Sequence, residues 1–114
     1  MVEKRRLKRR HLIYYLRVFF RKTDQLIGHL VDITTEGIKL ISEESIETNA
    51  SFELNMSLPK EIQGSKQIAF DAESMWCKKD VNPDFYITGL KLINVSRKDI
   101  QIIERLIRDF SMDQ

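Results

Sequence analysis

The chain opens its ordered pattern with a period of two. Leu12, Tyr14, Leu16, Val18 and Phe20 alternate with Ile13, Tyr15, Arg17, Phe19 and Arg21. Branched and aromatic residues at that spacing predict a strand with one fully apolar face. Lys22 to Gln25 reads as a turn, and Leu26 to Ile33 as a returning strand in which Gly28 marks a bulge or a close backbone approach. Asp32 to Gly37 predicts a tight connection into a third strand, Ile38 to Ser42. Its Asp and Thr side chains can bond nearby amides, and its Gly can take a positive φ.

Beyond a polar loop at 43–49, Phe52, Leu54 and Met56 alternate with Ser51, Glu53, Asn55 and Ser57, a half-buried strand that Pro59 ends. After a loop through Gly64, Gln67 to Lys78 predicts a fifth strand with Ile68, Phe70, Ala72, Ser74 and Trp76 on one face. Asp80 to Asp84 is a turn, and Phe85 to Ile93 a sixth strand. The period then changes. Ser96 predicts a helix cap, with Asp99 three residues on, and Ile100, Ile103, Leu106, Ile107 and Phe110 fall on one helical face through 110. Six strands and one amphipathic helix imply a small antiparallel barrel or strongly curled sheet closed by the helix. No repeat, low-complexity segment or linker divides residues 1–114, which read as one domain.

Composition changes this picture little: 42% apolar and 32% charged residues are those of an ordinary globular chain, long enough to bury a core. A single cysteine, Cys77, excludes an internal disulfide framework and suits a reducing cytosol. No apolar run reaches the roughly 18 residues of a membrane span. Leu12 to Phe20, interrupted by Arg17, lacks a small-residue cleavage site after it, so a cytoplasmic protein is the default.

Charge changes it more. Residues 1–22 hold nine of the 19 Lys and Arg against one acid, Glu3, so a leader at +8 precedes a body at −6. With so few apolar side chains, residues 1–10 are expected to form a mobile basic arm that meets something negative.

Little here suggests an enzyme. His11 and His29 are the only histidines, and no metal-ligand spacing is present. The glycines at 28, 37, 64 and 89 are too scattered for a phosphate-binding loop. Cys77 beside Trp76 reads as packing rather than as a nucleophile. Tyr14, Tyr15, Phe19 and Phe20 could stack bases, although alternation on a strand more often means packing.

The arm and the Asp32 turn together resemble a known family. Asp32-Ile33-Thr34-Thr35-Glu36-Gly37 is similar to the Asp/Asn-x-Ser-x-x-Gly motif of PilZ domains, with Thr for Ser. The Arg-x-x-x-Arg motif that precedes it in that family fits twice, as Arg5…Arg9 and as Arg6…Arg10. We favour Arg6 and Arg10, because Arg10 abuts the first strand. The resemblance implies a six-stranded antiparallel β-barrel with a C-terminal helix. It also implies a bacterial receptor module for cyclic di-GMP, with no other cofactor, no metal and no catalytic residue.

The implied ligand set is Arg5, Arg6, Arg9, Arg10, Asp32, Thr34 and Gly37. Its chemistry is apt: Arg grips phosphate or pairs bidentately with guanine O6 and N7, and Asp accepts from guanine N–H groups. The Thr34 hydroxyl can donate to a phosphate or accept from a base, and its extra methyl could crowd the pocket. Ligand binding would then order the arm and change a surface seen by a downstream partner protein or another copy of the chain. Two alternatives remain: an interaction adaptor of this family that no longer binds the nucleotide, and a barrel for single-stranded nucleic acid. The acidic body argues against the second.

Overall fold

The computed structural model describes residues 11–12 and 15–112. The elements run β1 (His11–Leu12), β2 (Arg17–Phe20), β3 (Leu26–Ile33), β4 (Gly37–Ser42), β5 (Ser51–Ser57), β6 (Gln67–Lys79), β7 (Tyr86–Asn94), α1 (Arg97–Phe110) and β8 (Ser111–Met112). Strands β2 to β4 form one antiparallel meander and β5 to β7 another. The meanders meet edge to edge through β4–β7 and β2–β5, which closes a six-stranded antiparallel barrel. Closure leaves the six strands no open edge to template aggregation. The short strands β1 and β8 pair with each other, and β1 also pairs with β3.

The first strand differs from the pattern reading. In place of one strand over Leu12–Phe20, β1 and β2 are separate. His11 faces Asp32 and Arg17 faces His29, so six steps along the first segment oppose three on β3. The two segments are therefore out of step with a continuous ladder, and the Leu16 carbonyl accepts from Leu30 N at 2.8 Å where pairing resumes. Tyr15 is exposed, whereas Leu16 and Val18 are buried as the alternation predicts. Ile13, Tyr14 and the arm at 1–10 lie outside the described residues.

Inward side chains from every barrel strand form the core, among them Val18, Leu30, Leu40, Leu54, Phe70 and Leu90. Helix α1 adds Ile103 and Leu106, both fully buried, with Ile102, Ile107 and Phe110 packed beside them. Ser96 starts the helix: its Oγ accepts from Asp99 N at 3.1 Å and its carbonyl from Ile100 N at 2.9 Å. Gly28 serves both expected uses. The β2–β3 register shifts beside it, and a Cβ there would lie 2.6 Å from the Ile41 carbonyl oxygen. The 43–50 loop is strapped to β6 by Ser74, whose Oγ donates to the Glu47 carbonyl and accepts from Ala50 N at 3.3 Å.

Phe70 is 2% exposed at the centre of this core. Phe70→Ala should lower unfolding free energy by about 3–5 kcal/mol, read from the urea midpoint at constant slope.

Candidate functional site

Strand parity would point Asp32 inward, since Leu30 two residues earlier is fully buried. A bulge prevents this. Leu30 pairs with Leu40 and Asp32 with Lys39, so Val31 is the extra residue and Asp32 turns outward while Ile33 returns to the core. The Asp32 Oδ1 accepts from Ile33 N at 2.9 Å, and among the described residues Oδ2 carries no hydrogen bond.

The connection that follows is organised by Thr34. Its N–H donates to the Gly37 carbonyl at 2.9 Å, and its Oγ1 accepts from the amides of Glu36 and Gly37, each at 3.1 Å. Those amides occupy both hydroxyl lone pairs, and the hydroxyl donates to the Gly37 carbonyl in a long 3.4 Å contact, so Thr34 can offer a ligand only that donor, in exchange for the Gly37 contact. The sequence left both roles open, and the geometry removes one. Strand β7 braces the turn from beneath, with Leu92 N donating to the Glu36 carbonyl at 2.9 Å.

Gly37 corrects an expectation. It does not take a positive φ; among the described residues Asp24 (58°), Asn49 (57°) and Gly64 (91°) do. Its need is space, because a Cβ would stand 2.8 Å from the Leu90 carbonyl oxygen.

Trp76 is the second correction. Counting by two placed it on the face of Ile68, Phe70, Ala72 and Ser74. In the barrel Ser74 pairs with Leu90 and Trp76 with Gly89, so Met75 is a bulge and Trp76 faces out. Its ring covers Gly89, where a Cβ would stand 2.5 Å from it. The Nζ atoms of Lys78 and Lys39 sit 5.4 and 6.0 Å from the ring. Neither bulge has a period-two signature, which is why Trp76 was placed inward; Lys39 and Lys91 follow the regular alternation outward and belong to no motif that would single them out. Cys77 is half-buried, and its Sγ accepts from Ile46 N at 3.5 Å.

Both outward side chains line one open concavity of ≈ 770 Å³, with Thr34, Gly37, Lys39, Gly89 and Lys91 between them. That size is ordinary for a ligand site. A second concavity lies beside Phe20, Phe52 and Asp71, where Asp71 is engaged by Arg21 at 3.2 Å and by Asn94 at 3.2 Å. The structure therefore brings Asp32, Thr34 and Gly37 together. Arg5, Arg6, Arg9 and Arg10 lie outside the described residues, but His11, which follows them, pairs with Asp32. Among the described residues no group of His, Cys, Asp and Glu is arranged to hold a metal ion, and no helix is long and apolar enough to cross a membrane.

Fold and groove describe a barrel module whose polar site lies on its outer wall, where the N-terminal segment joins the sheet. The family model for the PilZ domain matches residues 3–109. The chain belongs to the PilZ domain family.

Solved structures agree in fold. The Bacillus subtilis inhibitor of motility MotI/DgrA is similar at TM-score 0.70 and 19% identity, over 94% of this chain and 51% of that one. The PilZ domain of YcgR from Escherichia coli, solved with c-di-GMP, gives 0.67 and 14%, over 95% and 92%. PlzA from Borreliella burgdorferi, in complex with c-di-GMP, gives 0.56 and 12%, over 86% and 45%. The chain thus spans about half the length of the Bacillus and Borreliella proteins. Comparison with curated proteins returns no match.

Substitutions at two positions test this geometry. Thr34→Val removes the acceptor of two turn amides and should cost about 1 kcal/mol in urea unfolding, while Thr34→Ser stays near wild type. Gly89→Ala must lift the indole, and should shift the emission of the lone tryptophan while far-ultraviolet circular dichroism is unchanged.

Proposed function

We propose that this domain is a cyclic di-GMP receptor that binds the nucleotide between its N-terminal arginines and the Asp32–Gly37 turn. The observation that carries the reading is the pairing of His11 with Asp32. It brings the chain to the barrel beside the one turn that carries the family's carboxylate, hydroxyl and glycine. Arg10 is one peptide bond from His11, and Arg6 is four residues further, within about 18 Å of it at full extension. Both can reach the turn. Cyclic di-GMP in two similar PilZ structures supports the ligand's identity.

Each group then has a task. The Arg6 and Arg10 guanidinium groups, or Arg5 and Arg9 in the other register, grip phosphate oxygens or the O6/N7 edge of guanine. Asp32 Oδ2 accepts from a guanine N–H, and the Thr34 hydroxyl donates to a phosphate oxygen. The ligand thereby orders the arm across the barrel, and the changed surface is read by a downstream protein or a second copy of the chain. The work is binding, with no bond made or broken, in the cytoplasm where the messenger is found.

Calorimetric titration with cyclic di-GMP, with GTP as control, tests this. Arg6→Ala, Arg10→Ala and Asp32→Ala should each weaken binding by about 5- to 150-fold, the equivalent of about 1–3 kcal/mol. Unchanged binding in all three variants would overturn the assignment of the site, and no binding by the wild-type chain would make the domain an adaptor.

A further inference from the structure

Cys77 is the chain's only cysteine, and the receptor reading gives it no task. The bulge at Met75 decides which way it faces. Trp76 and Gly89 pair on the outside of the barrel, so the next pair along, Cys77 and Thr88, faces the inside. Leu40, the partner of Thr88 on β4, is fully buried on that same face. Side chains directly opposite on one face of an antiparallel pair have Cβ atoms about 4.5–5.5 Å apart, so the thiol and the hydroxyl are neighbours.

That hydroxyl has nothing to bond. Ser42, Ser74 and Thr88 are all buried, and the two serines are matched: Ser42 Oγ donates to the Glu44 carbonyl at 2.7 Å and Ser74 Oγ to the Glu47 carbonyl. Thr88 is 0% exposed, and its Oγ1 has no hydrogen-bond partner among the described residues. A buried hydroxyl left unmatched keeps the full cost of losing water. The sulfur across the strand gap does not relieve it, because a thiol is a weak acceptor and Cys77 Sγ already accepts from Ile46 N. An oxygen carried on that sulfur would be a strong acceptor in the place where one is missing.

We propose that Cys77 is a modification site, at which hydrogen peroxide converts the thiol to a sulfenic acid and Thr88 donates its hydroxyl proton in a hydrogen bond to the new oxygen. Cys77 is only half-buried, which leaves a path for an oxidant that small. The sulfur attacks one peroxide oxygen, and an S–O bond forms as the O–O bond breaks. Sulfur gives up two electrons to the leaving oxygen, which departs with the thiol proton as water. The chain holds no second cysteine to close a disulfide, so the sulfenic acid lasts until a small thiol or more peroxide meets it.

The test treats the whole folded chain with hydrogen peroxide in the presence of excess dimedone, which traps sulfenic acid, and follows the adduct by intact mass and peptide mapping. Wild type should give one adduct, on Cys77, and Cys77→Ser none. Thr88→Val keeps the side-chain shape and removes the donor. Its adduct should form about 2- to 12-fold more slowly, the worth of one hydrogen bond, while Thr88→Ser stays near wild type. The urea midpoint of Thr88→Val should rise, because an unmatched buried hydroxyl is gone, so a slower adduct there does not come from a damaged fold. An adduct that forms only after urea has unfolded the wild type would make Cys77 a packing residue and overturn the site. Equal rates in wild type and Thr88→Val would also overturn it, since the orphaned hydroxyl would then have no part in the reaction.

Discussion

A closed barrel of six short strands has one overriding constraint: each residue points either into a packed core or out of it. Val18, Leu30, Leu40, Leu54 and Phe70 show the inward half, at 0–2% exposure. With no free edge and no cleft between layers, a site on this fold has to be built on the outer wall or at a barrel mouth. Alternation alone would put Asp32 with Leu30 and Trp76 with Ser74, burying a carboxylate without a partner and wedging an indole into a filled core. An uncompensated buried carboxylate costs several kcal/mol. One extra residue at Val31 and another at Met75 remove both conflicts, and each sends its side chain to the same concavity. The ladder pairing lost at a bulge is a small cost beside that.

The same constraint explains what could be read from the sequence. Period two located β3 to β7 close to their observed bounds, and the switch at Ser96 located the helix; what it could not give was the facing of residues beyond a bulge. The Asp32–Gly37 turn was legible because its residue types are demanded by local hydrogen bonds that need no tertiary context. The first strand was not, because its interruption between His11 and Arg17 is imposed by pairing with β3 on one side and β8 on the other. Trp76 was misplaced for a related reason. A bulge is decided by register between strands, and the residues on either side of Met75 carry no mark of it. Gly37 was rightly singled out for a reason that turned out different: close approach of Leu90 rather than backbone handedness.

The turn presents rigid polar groups without a deep pocket. Asp32 spends one oxygen on Ile33 N and Thr34 spends both lone pairs on amides, so neither side chain has to be ordered when a ligand arrives. What the turn can offer is complementary: an acceptor in the second Asp32 oxygen, and a donor in the Thr34 hydroxyl, held only by a long 3.4 Å contact to the Gly37 carbonyl. Fixing side chains beforehand saves about 0.5–1.5 kcal/mol for each that would otherwise be immobilised on binding. The hydroxyl is essential to this arrangement and the methyl is not, which is why Thr can stand where the family motif has Ser.

Strand β1 joins these parts. It has two residues, and it pairs with β3 beside Asp32 on one edge and with Ser111 and Met112, directly after α1, on the other. So short a ladder contributes little stability by itself, since isolated two-stranded pairings are marginal even when longer. Its position still matters, because the segment that begins at His11 is held between the site and the end of the helix. A force applied to the chain just ahead of His11 therefore acts on the turn through one set of backbone bonds and on the residues after Phe110 through the other. Both of those consequences come from register alone, in a fold whose barrel strands have no other free edge through which to transmit a change.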